Sequence, residues 1–285
     1  MRLAYLTPLT RDTIKQAQRL GYDAVEVGAG WVDNPALDEL LAHVDTVREV
    51  LQEHGISVTS VAIYGGTINT PHEQALAHWE KAMTLAQALG CQVVSGLTGR
   101  DNNLSVQDNI PLFQERFAPI CALAEERFMR LALEPWPGNV LGHGPYRWTN
   151  LATTPELWDM LFEAVPSPAL GLEYDPSHLY WQGIDYLQVI RDYGGRIYHL
   201  HAKDILVHEA RLKRVGVHGR GWWRFVLPGL GQLDWPAIFQ TLRAVGYAGD
   251  VAVEHEDREY LKERWNEGLA LALKMMRPFV AEYDL

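Results

Sequence analysis

The chain has 285 residues, of which 47% are hydrophobic, with a net charge of −11 and two cysteines. This length suits one α/β barrel, which commonly needs about 250 residues, and no apolar run approaches the roughly 20 residues of a membrane span. An acidic balance without a lysine and arginine cluster argues against nucleic-acid binding, and Cys91 and Cys121 lie in apolar stretches typical of small buried side chains. The N-terminus leads directly into a strand-like run without a signal-peptide pattern, so we expect a cytoplasmic protein with no membrane partner.

Short β-type runs alternate with longer helical patterns eight times along the chain. The predicted strands are Arg2–Leu6, Ala24–Val27, Ser57–Ile63, Gln92–Gly96, Leu131–Glu134, Gly171–Tyr174, Ile197–His201 and Asp250–Glu254. The predicted helices lie near Thr10–Leu20, Ala36–His54, Pro71–Leu89, Val106–Arg127, Thr154–Ala164, Tyr186–Tyr193, Trp235–Val245 and Tyr260–Ala281. Helix ends are marked by glycines that adopt positive φ at little cost, namely Gly21, Gly55, Gly90 and Gly246. The repeated order predicts a parallel sheet closed into a single-domain (β/α)₈ TIM barrel over residues 1–285.

The longest predicted irregular stretch is about Asp204–Gln232, which contains VHGRGWWRFVLPGLGQ. Loops of this length in compact domains are functional or disordered. Its tryptophans and Phe225 favour an ordered lid around residues 204–232.

Polar side chains end four consecutive predicted strands, where barrel enzymes carry their active sites. The fifth strand ends in Glu134, and the sixth ends in Asp175 with His178 three residues later. The seventh carries His199, His201 and Lys203 on one face, because alternate strand residues point the same way. The eighth ends in Glu254, His255, Glu256 and Asp257.

A divalent cation relieves the repulsion between carboxylates that converge in this way. Three carboxylates and one imidazole form a mostly oxygen site that suits Mn²⁺, Mg²⁺ or Co²⁺ and also accepts Zn²⁺. Taken singly, each residue has a simpler interpretation. A strand-end glutamate such as Glu26 is typical of a structural hydrogen bond, Asp175 before a proline is typical of a turn, and His199 fits a core hydrogen bond. Four such endings on neighbouring strands favour the metal site.

The endings together resemble the xylose isomerase-like barrel superfamily, which includes sugar phosphate isomerases and epimerases, ketose 3-epimerases, inosose dehydratases and endonuclease IV. The segments that carry the resemblance are ALEPWPGN, GLEYDPSHLYWQGIDY, IYHLHAKD, WWRFVLPGLGQLDW and VAVEHED. The resemblance implies that the metal ligands are Glu134, Asp175, His201 and Glu254. It also implies that His178 and Lys203 contact the substrate, and that Glu134 and Glu254 act as acid and base.

Two differences from members of this family limit the activities that the resemblance implies. The epimerases carry a further glutamate six residues after the first ligand, where this chain has Val140. Endonuclease IV-like enzymes add histidines that are missing here, since the corresponding segments read VAIYGG and VSGLTG. A ketose 3-epimerase is therefore less well supported, and a DNA-repair role is disfavoured.

The site chemistry predicts a divalent-metal-dependent isomerase or epimerase that acts on a sugar or keto-sugar through a metal-stabilised enediolate. The alternatives are a metal-dependent lyase, either a dehydratase or a 3-oxo-glycoside deglycosidase on a sugar or cyclitol, and a non-catalytic sugar-binding barrel. We expect Mn²⁺ as the cofactor, a small sugar substrate and the possibility of a homo-oligomer. Aromatic residues that could stack on a sugar, or simply pack, are Trp136, Trp148, Trp181, Trp222 and Trp223. Helical histidines expected to be solvated are His43, His54, His72 and His78.

Overall fold

Eight parallel strands close into a barrel in the computed structural model, which describes residues 1–138 and 149–281. The barrel strands are β1 (Leu3–Thr7), β2 (Ala24–Gly28), β3 (Ser57–Gly66), β4 (Val93–Leu97), β5 (Arg130–Leu133), β6 (Leu170–Tyr174), β7 (Ile197–Ala202) and β10 (Val251–Val253). Neighbours in the barrel follow chain order, and β10 pairs with both β7 and β1 to complete the circle. The prediction of a single-domain (β/α)₈ barrel is confirmed.

Helices surround the barrel, and most of them bury apolar side chains against it. They are α1 (Arg11–Leu20), α2 (Ala36–Ala42), α3 (Val44–His54), α4 (His72–Ala88), α5 (Val106–Glu126), α6 (Pro155–Ala164), α7 (Pro176–Trp181), α8 (Tyr186–Tyr193), α9 (Glu209–Val215), α10 (Trp235–Ala244) and α11 (Trp265–Ala281). Short 3₁₀ turns cover Gly194–Arg196 and Lys262–Arg264. Within the described residues, no helix is both long and apolar enough to cross a membrane.

Helix α1 shows how local sequence sets the element boundaries. Thr10 and Thr13 form a capping box, in which each side chain accepts a hydrogen bond from the other residue's backbone N–H. The helix ends at Gly21, whose φ of 89° lies in the left-handed region that glycine adopts without steric cost. The predicted helix-ending glycines at 55, 90 and 246 also have positive φ.

Two helices and one histidine differ from the prediction. The helix expected over Ala36–His54 is interrupted at His43, whose φ of −121° and ψ of 20° separate α2 from α3. Helix α7 was not predicted; Asp175, for which a turn was one interpretation, caps it by accepting from the backbone N–H of Ser177 at 2.8 Å, and Pro176 starts its first turn. His78 is buried rather than solvated, with its ring 4.8 Å from that of Trp31.

The segment around residues 204–232 is more regular than its composition predicts. It contains β8 (Asp204–Val207), α9 and β9 (Trp223–Val226), and β8 and β9 pair as an antiparallel ribbon. Asp204 is fully buried and accepts hydrogen bonds from the backbone N–H groups of Gly229 and Leu233 and from Nε1 of Trp235. Asp257, which follows β10, accepts from Arg224 and from the backbone N–H of Leu227. Asp204 therefore stabilises the turn after the ribbon and its connection to α10, and Asp257 attaches β9 to the end of β10.

Candidate active site and metal centre

The four side chains predicted as metal ligands converge at the carboxyl ends of β5, β6, β7 and β10. Nδ1 of His201 lies 3.1 Å from Oε2 of Glu254, 3.6 Å from Oε1 of Glu134 and 4.0 Å from Oδ2 of Asp175. His201 and Asp175 are fully buried, and the side chains of Glu134 and Glu254 are 6% and 14% exposed. We call these four residues the upper cluster.

Backbone contacts fix the position of each carboxylate in the upper cluster. The N–H of Glu134 donates to the carbonyl of Gly96 at 3.1 Å, and that of Glu254 donates to the carbonyl of Ala202 at 3.3 Å. Asp175 uses Oδ1 to cap α7, which leaves Oδ2 facing the cluster. The strand ends therefore hold the side chains in place before any ligand binds.

The donor set fits a divalent cation. Oδ2 of Asp175 and Nδ1 of His201 are both buried and make no hydrogen bond, and Oδ2 has an ion pair with Lys203 at 3.1 Å. Nδ1 of His201 faces only carboxylates of this cluster, and a buried polar atom without a hydrogen bond is costly. Ligands about 2.1 Å from an ion in octahedral geometry lie roughly 3.0 to 4.2 Å from each other, a range that includes the three distances from His201. Ligand atoms of Glu134, Asp175, Glu254 and the adjacent His178 lie within 4.8 Å of one another, a spacing that can hold one divalent metal ion. His201 faces the same three carboxylates through Nδ1, while its Nε2 lies with Glu26, Glu173 and His199, whose ligand atoms form a second group of that size.

Lys203 and His178 lie against the upper cluster, as predicted for substrate-side residues. Nζ of Lys203 is 2.5 Å from Oε2 of Glu254 and 3.1 Å from Oδ2 of Asp175. Nε2 of His178 lies 3.3 Å from Oε1 of Glu134 and 3.3 Å from Nζ of Lys203. Burial acts to lower the pKa of Lys203, but Asp175 and Glu254 outweigh it and raise that pKa well above its usual value. The lysine is therefore a buried cation beside the carboxylates.

Two carboxylates of the upper cluster, those of Glu134 and Glu254, have lowered pKa values. Burial acts to raise the pKa of Glu134, but the neighbouring imidazoles of His178 and His201 lower it to about 2. Burial also acts to raise the pKa of Glu254, and the neighbouring Lys203 brings it below its ordinary value. Anionic carboxylates are the form that binds a hard cation.

A second polar cluster lies in the barrel lumen on the other side of His201. It consists of Glu26, Glu173 and His199, all at most 1% exposed, and we call it the lower cluster. Nε2 of His201 is 2.8 Å from Oε2 of Glu26 and 3.3 Å from Oε1 of Glu173. The structural hydrogen bonds expected for Glu26 and His199 are therefore present. Glu173 was missed, although its place two residues before Asp175 puts it on the same strand face.

The two carboxylates of the lower cluster have pKa values shifted in opposite directions. Burial and the neighbouring Glu26 raise the pKa of Glu173 to about 7, although His201 opposes them. Burial acts in the same direction on Glu26, but His201 and His199 outweigh it and bring the pKa of Glu26 far below its usual range. Tyr64 adds a hydroxyl that donates to Oε2 of Glu173 at 2.9 Å. Glu26 is therefore the anionic partner of His201.

Asn150 is a further residue that sequence reasoning missed. Its Oδ1 accepts from the backbone N–H of Thr98 at 3.0 Å and from the Thr98 hydroxyl, and its Nδ2 donates to the carbonyls of Glu134 and Trp136, each at 2.9 Å. These bonds fix the backbone on which Glu134 is carried. No local pattern could have revealed this role, because Thr98 lies 52 residues away in the chain.

Aromatic side chains form one wall of the mouth. Phe225 on β9 lies edge-on to His178 with ring centroids 5.3 Å apart, and Nζ of Lys203 is 4.5 Å from the Phe225 centroid. Trp181 and Trp223 stack at 5.4 Å. Trp222 is 2% exposed and packs, whereas Trp136 is half-buried near Glu134. Trp148 and Val140 lie outside the described residues.

The fold and the site together define a (β/α)₈ barrel with a buried carboxylate and histidine centre at its mouth. Residues 14–279 match the family model described as the xylose isomerase-like TIM barrel. The chain belongs to that family.

Comparisons with individual proteins agree with this assignment. The chain is 27% identical to the uncharacterized protein YfiH of Bacillus subtilis, over 90% of this chain and 93% of that protein. It is also 27% identical to an inosose dehydratase of Geobacillus thermodenitrificans, over 74% of this chain and 72% of that enzyme. The crystal structure of IOLI protein with a zinc atom superposes with a TM-score of 0.76 at 20% identity, over 99% of both chains. The prediction that the chain is an enzyme is confirmed, because its relatives include a named enzyme, the inosose dehydratase.

Proposed function

We propose that this protein is a divalent-metal-dependent enzyme that moves a proton at a carbon next to a carbonyl in a sugar or keto-sugar, and so acts as an isomerase or epimerase. The observation that carries the proposal is the upper cluster, in which three carboxylates and Nδ1 of His201 converge while two of the buried ligand atoms lack a hydrogen-bond partner. The metal ligands in this proposal are Glu134, Asp175, His201 and Glu254.

Glu134 and Glu254 are the proposed acid and base. Their oxygens lie within 4.8 Å of each other, so both can reach one bound carbon skeleton. When bound, a divalent ion supplies Lewis acidity that withdraws charge from a substrate carbonyl oxygen. One carboxylate takes the proton from carbon at its Oε atom. The other, after it has taken a proton from solvent, delivers that proton to the opposite face or to the neighbouring carbon. His178 and Lys203 donate hydrogen bonds to substrate oxygens, and Trp136, two residues after Glu134, is a further substrate-binding residue of the proposal.

Metal content is the first test of this proposal. Purified protein should contain about one divalent ion per chain, and Asp175→Ala and His201→Ala should both lose it. Asp185→Ala is a matched control, because Asp185 caps α8 as Asp175 caps α7 but lies away from the cluster. A wild-type protein that takes up no metal after incubation with Mn²⁺ would falsify the proposal, and so would an Asp175→Ala variant that binds metal as tightly as wild type.

Solvent exchange tests the chemical step. A panel of ketoses and keto-inositols is incubated with the metal-loaded enzyme in deuterated water and followed by proton NMR. We expect deuterium at the carbon next to the carbonyl and a product of otherwise unchanged mass. Glu134→Gln and Glu254→Gln should each slow this exchange by about 10² to 10⁴.

A lyase is the second candidate, and a specific observation favours it. The relatives with a stated activity include an inosose dehydratase that is 27% identical over most of this chain. The same removal of a proton next to a carbonyl, followed by loss of a hydroxyl from the adjacent carbon, gives dehydration. A product lighter by one water identifies the lyase, whereas a product of equal mass identifies the isomerase or epimerase.

Manganese is the proposed metal because three of the four ligands are hard oxygen donors. Zinc is the competing identity, supported by the zinc atom in the IOLI structure. Metal content after expression in medium supplemented with both ions distinguishes them. The cytoplasmic location and the possibility of a homo-oligomer stay predictions from the sequence.

The segment 204–232 is the proposed lid. What supports this role is that Phe225 contacts both His178 and Lys203, while Asp257 after β10 binds the backbone of Leu227 within the segment. We expect Phe225→Ala to raise KM for the sugar several-fold without loss of bound metal. Trp222→Phe, at a buried position behind the wall, should leave KM within two-fold of wild type.

A further inference from the structure

Glu26 makes a contact across the barrel that the fold alone does not require. It lies on β2, whereas His201 lies on β7, and two strands, β1 and β10, separate them in the barrel. The carboxylate is fully buried and its Oε2 is 2.8 Å from Nε2 of His201. The hydroxyl of Ser95 donates to Oε1 at 3.2 Å and orients the other side of the group. A buried carboxylate is costly unless it is paired, so this contact accounts for the charge in the lumen.

The lower cluster satisfies its own hydrogen bonds, which distinguishes it from the upper cluster. Nδ1 of His199 is 3.0 Å from Oε1 of Glu173, and its Nε2 is 3.2 Å from the hydroxyl of Thr59. Both imidazole nitrogens of His199 therefore have partners. By contrast, Nδ1 of His201 faces the upper cluster without a hydrogen-bond partner. The lower cluster is thus hydrogen-bonded support, whereas in the upper cluster Nδ1 of His201 has no hydrogen bond and is available to a ligand.

An imidazole that donates one ring N–H to a carboxylate presents a lone pair at its other nitrogen. Because Glu26 faces Nε2, the proton of neutral His201 is held there and Nδ1 is left as the donor atom. The 2.8 Å contact between Glu26 and Nε2 also restricts rotation of the His201 imidazole about its side-chain torsions. Glu173 contacts the same nitrogen at 3.3 Å, but its carboxylate also contacts His199 and Tyr64. Glu26, whose Oε2 lies 2.8 Å from Nε2, is therefore the closer acceptor.

We propose that Glu26 is a positioning residue that selects the tautomer and orientation of His201, so that Nδ1 is aimed at the metal ion. This inference rests on the metal site of the proposed function and deepens it by adding a residue outside the ligand set. Outer partners of metal-bound histidines are typically worth 10-fold to 100-fold in metal affinity. Glu26 should therefore act on metal binding itself and not only on turnover.

Cobalt titration tests the proposal without any substrate. Protein stripped of metal is titrated with Co²⁺, and both the dissociation constant and the visible absorption of the bound ion are recorded. We expect Glu26→Gln to weaken Co²⁺ binding 10-fold to 100-fold and to shift the visible bands. Thr59→Val is the matched control, because it removes a hydrogen bond from His199 in the same lumen without touching His201, and its binding should stay within two-fold. Glu26→Gln with wild-type affinity and an unchanged spectrum overturns the inference.

Nitrogen NMR provides a measurement on wild-type protein, which serves if Glu26→Gln does not fold. The protein is labelled with ¹⁵N-histidine, loaded with Zn²⁺, and the His201 signal is assigned by its loss in His201→Gln. We expect Nε2 to carry the proton and Nδ1 to bind the metal, and the reverse pattern overturns the role of Glu26. The proposed function fails separately if wild-type protein binds no metal, or if Asp175→Ala binds Co²⁺ as tightly as wild type. The first of these results removes this inference as well.

Discussion

Replacement of Asn150 by alanine should weaken both the fold and the upper cluster. The change removes four hydrogen bonds, two to Thr98 and one each to the carbonyls of Glu134 and Trp136. At about 1 kcal/mol for each bond, and with the residue 1% exposed, we expect the free energy of unfolding to fall by about 3 to 5 kcal/mol. Because two of these bonds hold the backbone around Glu134, affinity for a divalent metal should also fall, by about 10-fold.

Urea unfolding followed by circular dichroism measures the first effect, and Co²⁺ titration measures the second. Asn109→Ala is the matched control, since Asn109 is equally buried and its side-chain hydrogen bonds go to Asp101 and Ser105 rather than to the cluster. It should lose comparable stability and keep wild-type metal affinity. A loss below about 1 kcal/mol in Asn150→Ala, or an equal loss of metal affinity in both variants, would refute this reasoning.

Two further predictions concern the buried ammonium of Lys203, beside the upper cluster, and the two buried cysteines. Lys203→Met removes the ammonium 2.5 Å from Glu254 and 3.1 Å from Asp175, so the metal-free protein should lose roughly 6 to 12 °C in Tm, and added Mn²⁺ should raise Tm more than it does in wild type. An equal rise in the two proteins, measured by calorimetry, would contradict this view of Lys203. Burial raises the pKa of Cys91 and of Cys121 to about 12, so only about one thiol in 10⁴ is ionised at pH 8. Ellman's reagent should therefore label neither cysteine in native protein and both in guanidinium chloride, and rapid native labelling would show that one of them is accessible.

The barrel could be predicted because its signals are local and repeated. Four helix-to-strand connections carry a glycine shortly before the next strand, and the left-handed φ at Gly21 and Gly246 is what such a helix end requires. The ribbon of β8 and β9 could not be predicted in the same way. Its two strands are four residues long, and buried contacts between Asp204 and the distant Gly229, Leu233 and Trp235 stabilise the turn that follows them. Such long-range hydrogen bonds leave no periodic pattern.

The same contrast between local patterns and long-range contacts applies to the candidate site. Glu134, Asp175, His201 and Glu254 could be predicted because parallel strands bring their carboxyl ends together, whatever the helices between them contain. Their supporting residues could not. Glu26 sits in AVEVG, where a carboxylate among apolar neighbours has several interpretations, and only closure of the barrel shows that it meets His201. Support of this kind depends on which strands face each other across the lumen.

Strand β7 explains why the two clusters are linked. His199, His201 and Lys203 are alternate residues, so they point into the barrel on one side at intervals of roughly 6.6 Å. His199 meets Thr59 and Glu173 in the lower cluster, and Lys203 meets Glu254 in the upper one. His201 lies between them with one nitrogen directed to each.

The intervening residues, Leu200 and Ala202, are fully buried in the apolar core. A shift of β7 by one residue would move them into the polar lumen and force both histidines into apolar packing. The polar network therefore disfavours any other register of β7, and the same register places Nδ1 of His201 among the carboxylates. Specification of the fold and construction of the site thus depend on the same three side chains.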